Sequence, residues 1–118
     1  MFVRNHGADT EGLYLVADVD LIPRFLVSTF GEPGMGDGIR VSGEYVFTSE
    51  NCEVFTVHDY KSTTLWDSDP SEGLPTPEEF WSSSHKEEMS LGSKDGHDYR
   101  SFLNWLLEKQ DAWSREQS

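Results

Sequence analysis

The sequence predicts an α+β fold: a single domain over residues 1–118, order β-α-β-β-β-α, with a mostly antiparallel sheet covered by two helices. Three observations predict it. Residues 41–61, VSGEYVFTSENCEVFTVHDYK, hold two arms rich in Val, Phe, Tyr and Thr around a polar turn, a composition that suits a pleated, half-buried surface. Two other stretches, 20–33 and 97–113, carry apolar residues at helical spacing between start and stop signals. The chain of 118 residues, 36% hydrophobic and 13% aromatic, suffices for one modest core.

The elements follow in chain order. Leu13 to Ala17, LYLVA, is a short apolar run read as a strand. In DLIPRFLVSTFGEP, Asp20 is placed to cap a helix and Pro23 suits its first turn, where N–H groups lack helical partners. Ile22, Phe25, Leu26 and Thr29 form its buried face. Gly31 suits the position after the last turn, and Pro33 stops continuation. GEPGMGDG, 31–38, reads as a flexible connection.

In the hairpin the turn is expected near Glu50-Asn51, because Asn accepts positive φ cheaply. A three-residue loop at 50–52 sets Phe47 opposite Phe55 and Tyr45 opposite Val57, giving a uniformly apolar face. Thr56, His58 and Tyr60 then fall on the other. A two-residue loop would pair Phe47 with Val54, a less uniform face.

Residues 62–85 form a long acidic connection with five acids, three prolines and no Lys or Arg. Within it, TPEEF is a helix start: Thr76 caps, Pro77 takes the first position, and Glu79 completes a capping box. One short turn presenting Phe80 and Trp81 is expected. KEEMSLG reads as a strand. HDYRSFLNWLLEKQDAW reads as a helix with the stripe Tyr99, Phe102, Leu103, Leu106 and Leu107, and with Asp98 at the positive end of its dipole. Trp105 lies about 100° from the centre of that stripe, and Trp113 near the frayed end.

The charge narrows the partners. Acids outnumber bases 22 to 9, for a formal charge of -13. This repels nucleic-acid phosphates and anionic membranes and favours a basic protein surface. Cys52 is the only cysteine, which excludes a disulfide framework and a cysteine zinc site. With one thiol, no apolar leader in MFVRNHGADTEG and no run near the roughly 20 apolar residues of a membrane span, the expectation is a cytoplasmic protein.

Several patterns suggest chemistry at first sight. His58-Asp59-Tyr60-Lys61 sets reactive side chains in a row, but neighbours on a strand point to opposite faces. His58 and Asp59 therefore cannot make the bonded pair of a triad, and no GxSxG elbow accompanies them. The glycines of 31–38 follow a helix rather than precede one, opposite to a phosphate loop. Asp67, Asp69, Ser71, Gly73 and Glu78 match calcium-loop positions, but Glu72 stands where the turn needs glycine, so a solvated acidic loop is the expectation. The four histidines, His6, His58, His85 and His97, show no metal spacing.

The helix ending FGEP, the stretches VSGEY and VFTVHDYK, the short strand and the terminal helix together resemble small bacteriophage and mobile-element accessory proteins. In that group an aromatic precedes Lys at the end of the second arm, as Tyr60-Lys61 does here. A Gly-Gly pair often precedes the last helix, where this chain has Leu91-Gly92-Ser93. The resemblance spans residues 21 to 107 and implies an accessory role in phage–host interaction, with no activity attached.

The sequence therefore predicts a non-enzymatic, cofactor-free acidic protein that occupies a protein partner's surface, as a phage-type inhibitor of a host protein would. Its contacts are expected at Tyr60, Lys61, Trp66, Asp67, Asp69, Glu72 and Trp81. The alternative is a small-molecule or nucleotide site between the hairpin and the 62–85 loop, using His58, Tyr60, Lys61 and Trp66. A third is a structural subunit whose charge serves solubility.

Overall fold

The computed structural model describes residues 1–117. The hairpin forms from strands β4 (Gly43–Thr48) and β5 (Val54–His58). Phe47 lies opposite Phe55 and Tyr45 opposite Val57, the register of the three-residue loop. The bond from Ser49 N to Glu53 O at 3.0 Å closes that loop. The shared face buries all four side chains completely. Positive φ falls on Cys52 (φ 61) rather than Asn51. Cys52 N donates to Ser49 O, so residues 50 and 51 form an ordinary turn. The residue after that turn must swing to the left-handed region, as in other three-residue hairpins.

The six-stranded sheet runs in the order β1 (Val3–Arg4), β4, β5, β6 (Glu87–Ser93), β2 (Tyr14–Leu21), and every pairing is antiparallel. The sixth strand, β3 (Gly34–Met35), lies off this path and pairs with the start of β4. The glycine-rich segment is thus partly in the sheet, and β1 and β3 were not foreseen. Two residues are too few to show a period.

The strand expected at 13–17 runs on to Leu21. Along it Val19 and Leu21 point into the core while Asp18 and Asp20 are exposed. Asp20 pairs with Glu88 of β6 instead of capping the next helix. That helix, α1 (Pro23–Phe30), has Ile22 at its cap position with no side-chain cap. Gln110, 2% exposed, instead accepts a 2.7 Å bond from Ile22 N at this strand-to-helix switch.

Helix α3 (Tyr99–Glu116) is capped by Asp98, which accepts from Ser101 N at 3.1 Å. With α1 it covers the face bearing Tyr45, Phe47, Phe55 and Val57. Phe102 stacks on Phe55 with ring centroids 4.8 Å apart. Trp105 joins the core, 5.3 Å from Phe2 and 5.9 Å from Phe30. Trp113 packs 6.1 Å from Phe25. The apolar face of α3 is therefore broader than its stripe suggested, because Phe2 and Phe30 wrap its flank. No described helix is long and apolar enough to cross a membrane.

Helix α2 (Pro77–Trp81) has the expected capping box between Thr76 and Glu79. Its Phe80 and Trp81 point inward and are buried. On the other face of the sheet, Asn5, Ala8 and Asp9 line one shallow pocket with Val54, and Thr10 and Leu13 another with Thr56 and His58. A Cβ on Gly92 would lie 2.4 Å from Thr56 Oγ1, so glycine there makes room for the threonine beside it.

Candidate protein interface

The polar end of β5 is organised by Asp59. Strand alternation turns His58 to one face and Asp59 to the other, where Asp59 is wholly buried. Its Oδ1 accepts from Ser42 N at 2.9 Å and Gly43 N at 3.0 Å, and its Oδ2 accepts from Ser42 Oγ at 2.7 Å. Ser42 Oγ in turn accepts from Trp81 Nε1 at 3.0 Å. One carboxylate thus ties together the end of β5, the start of β4 and α2. The indole can reach this place because residue 43 is glycine; a Cβ there would lie 2.8 Å from the ring.

Two loops project from this anchor. In the first, Asp37 Oδ1 accepts from the N–H groups of Ile39, Arg40 and Val41 at 2.8 to 2.9 Å. These bonds, that from Val41 foremost, hold the Asp37 carboxyl below its ordinary value. In the second, Lys61 N donates to Arg40 O at 2.6 Å, with Lys61 at φ 55. A lysine in the left-handed region costs energy and persists only where its surroundings impose it. That conformation swings the Lys61 ammonium 4.4 Å from the Trp66 ring and 5.2 Å from the Tyr60 ring, within cation–π range of both. Tyr60, Leu65 and Trp66 are each nearly half exposed, and Ile39 more so.

The predicted contact residues divide. Tyr60, Lys61 and Trp66 form this one exposed cluster. Asp67 folds back to accept from Asp69 N, and Asp69 caps the 3-10 turn Pro70–Glu72 through Ser71 N. Asp69 and Glu72 are exposed. Hydrogen bonding from Ser71 holds the Asp69 carboxyl below its ordinary value. Trp81 is corrected to a core residue: it packs 5.8 Å from Tyr45 and is 7% exposed. Among the described residues, no three His, Cys, Asp or Glu side chains converge as metal ligands.

Sequence reading passed over Asp59 and Asp37 as members of the site. The available signal was local: an Asp two residues before Ile39 in a Gly-rich loop favours bonding to its own backbone. No local signal identifies Asp59, whose donors lie 16 and 17 residues away.

The clefts lie elsewhere. One of about 750 Å³ separates α1 from α2, with Arg24, Glu32 and Glu78 on its walls. Another, about 260 Å³, is lined by His58, Glu44, Thr56 and Tyr14 on the opposite face of the sheet. Neither includes Tyr60, Lys61 or Trp66, and His58 lines the second. Among the described residues, the buried His58 Nδ1 has no hydrogen-bond partner. Burial lowers the His58 pKa against the pull of Glu44, Asp59 and Asp37.

Fold and site together define a single α+β domain with a six-stranded antiparallel sheet and an ordered aromatic cluster at one end. Comparison with protein families and with curated proteins finds no match for the chain.

Proposed function

We propose that the chain is a non-enzymatic, acidic binding protein that occupies a basic surface of a protein partner through its 37–42 and 59–66 segments. The observation that carries this reading is the Lys61 ammonium held over exposed Trp66, on a backbone anchored by buried Asp59. Exposed tryptophan and tyrosine are common anchors of interfaces. An ordered loop loses less entropy when it binds. Asp69 and Glu72 nearby supply the negative rim that steers a basic partner. The resemblance to phage accessory proteins makes a host protein the first partner to test, with inhibition by occupancy as its mode.

The test is capture of a partner from cell extract, followed by titration of the purified pair. Trp66→Ala should weaken binding at least tenfold with little loss of fold stability, since the ring is 44% exposed. Raising salt should slow association. Equal affinity of the wild type and the Trp66→Ala and Tyr60→Ala variants would overturn the assignment of this surface.

A further inference from the structure

The sheet ends in an edge strand, β2, two places in strand order from β5, the strand that leads into the 59–66 cluster. Strand β2 is eight residues long, and among the described residues its only strand partner is β6. An edge strand directs alternate N–H and C=O groups away from its neighbour. Among the described residues, no hydrogen bond joins the backbone of 14–21 to anything outside the ladder with β6. Tyr14, Leu15, Asp18 and Asp20 on this strand are exposed.

Proteins often protect such an edge, and β2 carries two protective devices: a register irregularity between Leu15 and Ala17, and aspartates at 18 and 20. Both oppose pairing with a second copy of this acidic chain. Protection of β2 needs only its own aspartates, and Glu88 adds a third carboxylate. It lies on β6 directly opposite Asp20, beyond the Ser90–Ser93 stretch that pairs with β5, and is likewise exposed. Like charges facing each other across a strand pair are destabilising. Neither carboxylate has an ion-pair partner among the described residues, where the pairs are Met1 with Glu50 and Arg40 with Asp37. Asp18, Asp20 and Glu88 thus form an uncompensated negative strip beside free backbone groups.

From this we infer that the edge of β2 accepts an extended basic segment of a partner protein as an added strand. The Lys or Arg side chains of that segment lie over Asp18, Asp20 and Glu88. Main-chain hydrogen bonds supply affinity in this mode, and alternate side chains supply specificity. The segment's positive charges relieve the repulsion between Asp20 and Glu88. This surface is separate from the 59–66 cluster and stands whether or not that cluster binds.

The experiment uses the full chain, ¹⁵N-labelled, and an eight-residue peptide alternating Lys and Val. Binding should shift the amides of residues 14–21 and slow their exchange. Methylating alternate peptide nitrogens keeps the charge but removes strand hydrogen bonds, and should abolish binding. The double variant Asp18→Asn with Asp20→Asn, both exposed, should weaken it about tenfold while leaving the unbound spectrum otherwise unchanged. Three results would overturn the inference: equal binding of the methylated peptide, which marks simple charge attraction; shifts confined to residues outside β2; or self-association of the chain through this edge.

Discussion

Replacing Asp59 by alanine tests whether one buried carboxylate organises the whole candidate interface. In the native protein Asp59 receives bonds from two backbone N–H groups, Ser42 and Gly43, and from the Ser42 hydroxyl. Alanine leaves both backbone donors without a partner; the hydroxyl keeps its bond from Trp81 Nε1. An unsatisfied buried donor costs about 1–3 kcal/mol. Gly43 is buried and Ser42 only half so, which places the sum at about 3 kcal/mol, in the lower half of the roughly 2–6 kcal/mol that two such donors span. For a domain of this size that lowers Tm by about 12 °C. Asp59→Asn keeps one carbonyl acceptor and should lose about half as much. Urea and thermal melts measure the loss, and hydrogen exchange at residues 37–43 shows whether the loop opens with it. A loss under about 1 kcal/mol, with those amides still protected, would refute the anchoring role of Asp59.

Three further outcomes are expected. His58 has a folded pKa below the ordinary 6.5. As pH falls through 6.5 the unfolded chain takes up a proton first, so stability is full above 6.5 and declines below it. Urea midpoints at pH 7.5 and 5.5 should therefore differ more in the wild type than in His58→Gln, and equal differences would remove the histidine from the account. Gly92→Ala should destabilise by about 1–3 kcal/mol through the clash with Thr56 Oγ1. Adding Thr56→Ala should restore part of that loss in the same melts. Gln110→Leu keeps the bulk but orphans Ile22 N, and should cost about 1–3 kcal/mol in urea unfolding.

Much of the fold was legible along the chain. The hairpin register followed from alternation alone, since only the three-residue loop gives Tyr45, Phe47, Phe55 and Val57 a common face. Thr76, Pro77 and Glu79 announced α2, and the stripe around Phe102 and Leu106 announced α3. Asp20 misled because a capping residue and an outward-facing strand residue look alike locally. Pairing with β6 decided between them by offering a continuous ladder in place of one cap bond.

The candidate site was legible only in part. Tyr60, Lys61 and Trp66 were expected as contact residues and composition alone established the acidity, but that the Lys61 ammonium lies over both rings was not foreseen. Tertiary structure decided which tryptophan is available: Gly43 lets Trp81 sink against Tyr45, while Trp66 remains at the surface. It also decided that Asp59 is a buried anchor, that His58 lines a cleft, and that β2 is an edge. The division has a physical cause. Period, turn chemistry and capping act over a few residues and are written locally. Burial, strand order and the donors around a carboxylate arise only when distant segments share the same space.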